Sequence, residues 1–230
     1  MQIDKNEVLR YLGYKPGHTK ANTNMLDKID YYAALGVTLL EPNTSYRIFS
    51  DLSITEAGVQ INDVPLLLPG QDITNLLKQA KKVCIVAATI GPQLEQRVAE
   101  LFKQDEYAAA TILDAVGSDA VEKVADQLQQ QLGNIAKRQG LEVTWRYCSG
   151  YGDLPLQVNS QLASVTNASN IGITVTTTHM LLPQKSMLGI VGFNLPGVDT
   201  PLMNKCALCK AENCAYRNRS DQCAKSAGNG

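Results

Sequence analysis

The order of apolar patterns along this 230-residue chain predicts an α+β fold. The expected architecture is a twisted antiparallel or mixed sheet flanked by helices, with a Cys-rich C-terminal tail. Three observations carry that expectation. Apolar runs of strand length, Val83 to Ala88 and Met187 to Phe193, sit among helical stretches without regular βαβ alternation. A stripe of Leu113, Val116, Ala120, Val124, Leu128, Leu132 and Ile135 recurs at helical spacing. Four of the six cysteines crowd into residues 206–223. With 44% apolar and 19% charged residues, the chain has material for a sizeable core.

The elements follow from local chemistry. Asp4 followed three residues later by Glu7 reads as an N-cap that opens a short helix through Leu12, ended by Gly13, Pro16 and Gly17. A second helix covers Met25 to Leu40, stopped by Pro42 and Asn43. Residues 46–69 hold β-favouring stretches broken at Gly58 and at Asn62-Asp63, which predicts an antiparallel meander. Asp72 caps a short helix running toward Lys82, and the buried strand 83–88 follows. Pro92 suits the first turn of a helix ending near Phe102. The long helix spans Tyr107 to about Arg138, and Gly140 terminates it. Leu141 to Trp145 reads as a strand leading to a Gly-rich loop. A helix over Pro155 to Ala168 and β-rich residues from Ile171 to Thr177 precede the last strand. The expected division is a main domain over 1–203 and a metal-binding tail over 204–230.

Composition excludes several function classes. Twenty-one Lys and Arg against 22 Asp and Glu give a net charge of −1, which does not favour a nucleic-acid or acidic-membrane binder. No apolar run approaches the ~20 residues of a membrane span. The opening Met1-Gln2-Ile3-Asp4-Lys5-Asn6 is not signal-like, so a cytoplasmic location is expected. His18 and His179 are the only histidines, without ligand-type spacing, and no Ser–His–Asp or Cys–His arrangement can be argued from them. Walker and Rossmann phosphate motifs are absent.

Two patterns carry candidate chemistry. Cys206, Cys209, Cys214 and Cys223 form C-x2-C-x4-C-x8-C, a spacing that suits Zn²⁺ or an iron–sulfur cluster held by thiolates. A site of three cysteines with an outside ligand, or a tail of reactive thiols, stays open. The segment Arg146 to Pro155 has a cation before two glycines and a tyrosine. Glycines let backbone approach a ligand, arginine can fork onto a carboxylate or phosphate, and Tyr151 can stack or donate. A tight turn beside a surface arginine is the plainer alternative. Lys185 and Ser186 offer donors before the last strand, or simply join two strands. Glu122 and Asp126 lie one turn apart on the long helix, which by itself describes a solvated acidic face.

The run Arg146-Tyr147-Cys148-Ser149-Gly150-Tyr151-Gly152-Asp153-Leu154-Pro155 resembles the Arg-x-x-x-Gly-Tyr loop of the activation domain of cobalamin-dependent methionine synthase. It is closer to small stand-alone relatives of that domain. Pro183 to Gly189 resembles a later Pro-x-x-Ser-x-x-Gly element, and Glu7 to Tyr14, Ala87 to Gly91 and Cys206 to Arg217 also resemble the stand-alone proteins. Cys148-Ser149 replaces their usual Ser-Pro, and Ile190-Val191 stands where full-length enzymes carry an aromatic residue.

The resemblance implies S-adenosylmethionine binding and reductive methylation of a cobalamin on a separate methionine synthase or other corrinoid protein. An electron donor such as flavodoxin or ferredoxin would supply one electron. By the same resemblance Arg146 pairs with the ligand carboxylate, and Glu122 balances its ammonium or sulfonium. Cys148, Gly150, Tyr151, Gly152 and Ser186 complete the implied ligand site. A non-catalytic S-adenosylmethionine sensor, or an iron–sulfur electron-transfer subunit, is the alternative.

Overall fold

The computed structural model describes residues 1–15 and 19–198. His18, the 203/204 boundary and all four tail cysteines fall outside the described residues. The main sheet has the order β1 (Asn43–Phe49), β5 (Lys82–Thr89), β10 (Ser186–Asn194), then β6 (Glu142–Val143), with β7 (Tyr147–Cys148) also on β10. Every pairing in it is antiparallel. A separate meander joins β2 (Leu52–Thr55), β3 (Gly58–Ile61) and β4 (Leu66–Pro69), and a small ribbon joins β8 (Thr174–Val175) to β9 (Leu181–Leu182).

β5 is an unbroken apolar run because both of its faces are covered. Ile85 and Ala87 pack with Leu188, Ile190 and the meander residues Val59, Leu66 and Leu68. Cys84 and Val86 face the other way, onto Leu128 and Leu132 of α5 (Tyr107–Lys137). That environment pushes the Cys84 thiol up to about 12, so the group stays protonated and inert. The rest of α5 buries Leu113, Val116 and Ala120 against α1 (Lys5–Tyr11), α2 (Thr23–Thr38) and α4 (Gln93–Lys103).

Several elements depart from the sequence expectation, each for a long-range reason. Asp4 caps α1 as expected, its Oδ1 accepting from the Asn6 amide at 2.8 Å. β1 leaves the meander and becomes the edge of the main sheet beside β5, a pairing that local turns do not encode. Asp72 is not the cap of α3 (Gln71–Leu77). Gly70 holds the cap position, and Asp153, eighty residues away in the Gly-rich loop, accepts from the amides of Gln71 at 2.5 Å and Asp72 at 3.2 Å. α3 also stops well before Lys82, where β5 begins. The helix expected over 155–168 is interrupted: a 3-10 turn at Leu156–Val158 leads into α6 (Asn159–Val165), and Asn167 at φ 51° ends it.

The expected strand 141–145 is broken by a bulge. Three residues separate Val143 from Tyr147, while two separate their partners Phe193 and Ile190 on β10. Thr144 fills the gap, donating its amide to Gly192 O at 2.8 Å and accepting the Gly192 amide on Oγ1 at 2.9 Å. Val143 packs on the α5 side, but Trp145 and Tyr147 pack on the meander side. The extra residue therefore reverses the alternation and delivers Arg146 to the α5 face.

Asp153→Ala is expected to lower stability by about 1–2 kcal/mol, the usual value of a helix cap. The urea midpoint should fall with an unchanged slope; an unchanged midpoint would mean that the carboxylate does not hold α3.

Candidate ligand site

Arg146 is 5% exposed and lies with its side-chain stem across Gly189 of β10. Its Nη2 donates to Glu122 Oε2 at 3.0 Å and to Asp126 Oδ1 at 3.2 Å, and Nη1 donates to Gln129 Oε1 at 3.4 Å. The three acceptors occupy one face of α5. Gln129 also donates to Thr144 O at 2.6 Å, fastening the helix to the bulge. The Arg146 Nε is buried without a hydrogen-bond partner. Burial works against the Arg146 charge, but Cys148, Glu122 and Asp126 outweigh it, so its pKa rises and the cation is fixed.

Two tyrosines enclose this cluster. Burial, then the charges of Cys148 and Glu122, push the Tyr151 hydroxyl upward. Burial and Glu122 do the same to Tyr11, at the end of α1. Both phenols therefore remain hydrogen-bond donors at neutral pH. Trp145, Tyr147 and Tyr151 form a row with ring centroids 5.1 and 5.9 Å apart.

The glycines shape the loop. Gly150, at φ +81°, donates to Leu154 O at 2.8 Å, and the Tyr151 amide donates to Cys148 O at 3.1 Å. Those amides are satisfied inside the loop, so a ligand meets its side chains and remaining backbone groups. Gly152, at φ +49°, has no room for a Cβ, which would strike the Asp72 carboxylate and the Tyr147 hydroxyl. Tyr147 itself donates to Tyr151 O at 2.9 Å.

The structure thus brings together Arg146, Glu122, Cys148 and Tyr151, with Gly150 and Gly152 as the frame. It does not bring Ser186 to them. Ser186 donates to Thr89 Oγ1 at 2.8 Å, and strand alternation places it on the face opposite Gly189 and Arg146. Lys185 is occupied by Asp114 at 2.8 Å and Ser118 at 2.9 Å. Asp126 is no merely solvated acid, because it turns to the guanidinium. The signal available in the sequence was the spacing of Glu122, Asp126 and Gln129 along one helical face. Tyr11 gave no such signal. Beside the cluster, and sharing Asp126 with it, a cavity of about 710 Å³ lies between the N-terminal segment and α5, with Asp4, Lys5, Lys123 and Gln130 also in its wall. Among the described residues, no group of three or more His, Cys, Asp or Glu is placed to hold a metal ion.

Fold and cluster define a class: a helix-backed antiparallel α+β domain whose buried arginine faces the acids of its longest helix. Among solved structures it is similar to the crystal structure of the MetH reactivation domain bound to AdoHcy (S-adenosylhomocysteine), with a TM-score of 0.62. The likeness covers 83% of this chain and 74% of that one at 11% identity, and at that identity it is a likeness of fold. No protein-family model matches the chain, and no curated protein matches it in sequence. The α+β reactivation-domain fold implied by the loop resemblance is the fold found. Among the described residues, no helix is long and apolar enough to cross a membrane.

Proposed function

We propose that this chain binds S-adenosylmethionine and supports reductive methylation of a cobalamin carried by a separate corrinoid protein, a methionine synthase or a relative. The observation that carries this reading is the buried Arg146 guanidinium, with an unpartnered Nε, set between two carboxylates on a reactivation-domain fold. An α-amino acid presents the complementary pair, a carboxylate for Arg146 and an ammonium for Glu122. The Tyr151 ring is suited to pack against the adenosine, and the closed loop excludes water from one side. When bound, S-adenosylmethionine supplies a methyl on a sulfonium whose leaving thioether is neutral, so the chain needs no acid or base of its own. Its residues bind, orient and exclude water. The one-electron donor, such as flavodoxin or ferredoxin, belongs to a separate protein. The tail cysteines Cys206, Cys209, Cys214 and Cys223 remain a proposal for zinc or an iron–sulfur cluster.

Calorimetric titration with AdoHcy tests the binding, and incubation with S-adenosylmethionine and cob(I)alamin tests the transfer. Saturable one-site binding is expected, with methylcobalamin formed. Binding without methylcobalamin would leave a sensor. No heat at millimolar ligand would overturn the reading.

A further inference from the structure

A guanidinium has five N–H donors, and those of Arg146 are unequally used. Both Nη2 hydrogens are taken, one by Glu122 at 3.0 Å and one by Asp126 at 3.2 Å. Nη1 makes one long bond, and Nε makes none although it is buried. A buried donor left without a partner is costly and points to a group that arrives from outside. The forked approach available to a carboxylate runs along the Nε–Nη2 edge, and half of that edge is already filled.

The two acids holding Nη2 differ in what they would lose by leaving. The Glu122 side chain is 29% exposed, and the Asp126 side chain is 64% exposed. Asp126 stands in the wall of the 710 Å³ cavity, with Lys123 one helical turn before it in the same wall. Released from Arg146, its carboxylate stays in water in that wall, where the Lys123 ammonium is already held by Asp119 at 2.8 Å, so it gives up a screened contact and little else. Glu122 is the more enclosed acid and is coupled to Tyr11 and Tyr151.

We infer that Asp126 occupies the place of the ligand carboxylate on Arg146 and is displaced when an amino-acid ligand arrives. The inference rests on the ligand reading above and deepens it, because it assigns the two acids opposite effects. Glu122 stays and meets the ammonium. Asp126 swings toward the cavity, the ligand carboxylate replaces it on the guanidinium within reach of the orphan Nε, and Arg146 faces two carboxylates before and after. Asp126 therefore sets a threshold: a nucleoside must bring a free α-carboxylate to gain from Arg146, and that carboxylate competes with a built-in one.

The test is calorimetric titration of the full chain, wild type and Asp126→Asn, Asp126→Ala and Glu122→Gln, with AdoHcy and with 5′-methylthioadenosine. The latter keeps the adenosine and thioether but has no amino-acid group. Circular dichroism and a thermal melt confirm that each variant is folded. Both Asp126 variants should bind AdoHcy about twofold to fivefold more tightly, the size of one exposed ion pair, and bind methylthioadenosine unchanged. Glu122→Gln should weaken AdoHcy. If wild type binds AdoHcy and the Asp126 variants bind it equally or more weakly, the displacement is wrong while the ligand reading stands. Equal tightening of both ligands shows a general charge effect and also overturns it. If no protein binds either ligand at millimolar concentration, the ligand reading fails and the inference falls with it.

Discussion

Arg146→Ala is expected to weaken AdoHcy binding by about 1.5–3 kcal/mol, tenfold or more, as for loss of a charge-assisted pair. It should also destabilise the chain, because the guanidinium is the counter-charge that lets Glu122 and Asp126 face the sheet. Breaking a fully buried pair costs about 3–5 kcal/mol. Here the acids left behind are 29% and 64% exposed and can be hydrated, so about 1–3 kcal/mol is the expected loss. Arg146→Lys separates the two effects. A lysine keeps the charge beside the acids but offers no planar fork, so it should recover more of the stability than of the binding. Calorimetry and urea unfolding of the three proteins read this directly. Undiminished AdoHcy affinity in Arg146→Ala would remove the carboxylate pairing from the mechanism.

The loop that made the chain recognisable is mostly scaffold. Gly152 is there because the Asp72 carboxylate and the Tyr147 hydroxyl leave no room for a side chain, and Asp153 because α3 lacks a cap of its own. Tyr147 holds the turn closed through Tyr151 O. Only Arg146, Cys148 and Tyr151 reach the charged cluster. A ten-residue motif was therefore legible as a unit, although its individual roles were not, since both partners of Asp153 lie about eighty residues earlier.

Long periodic elements were legible for a simple reason: α5 and β5 each bury a face, or both faces, along their whole length. What failed was set by partners distant in sequence. β1 looks like the first strand of a local meander and instead pairs with β5. The bulge at Thr144 appears in the sequence only as a strand rich in Val, Thr and Trp. Its consequence, the turning of Arg146 toward α5, requires the β10 register. The same holds for Asp126, whose acid character was visible but whose partner was not. The Ser186 assignment rested on its donor hydroxyl before the last strand and on the resemblance, and strand alternation sends that hydroxyl to Thr89 instead.

Gly189→Ala is the second substitution with a large expected effect, and it acts on the site from behind. A Cβ there would lie 2.8 Å from Arg146 Cγ, 3.2 Å from its Cδ and 3.2 Å from Val86 Cγ2. Cγ is near the root of the arginine, so the side chain cannot evade the contact by moving only its tip. The backbone cannot retreat either, because Thr144 is locked to Gly192 on one side and Gln129 ties Thr144 to α5 on the other. Overpacking of this kind costs about 1–3 kcal/mol, and the guanidinium must leave Glu122 and Asp126, so AdoHcy affinity should fall as well. A double-mutant cycle with Arg146→Ala identifies the cause. With the arginine stem gone, of those contacts only the one with Val86 remains, and Gly189→Ala should cost at least about 1 kcal/mol less in that background, a coupling above the additivity expected of independent sites. An equal cost in both backgrounds would show that the glycine serves the β5–β10 packing rather than the arginine. The bare strand position would then be a feature of the sheet, and the placement of Arg146 would depend on the bulge alone.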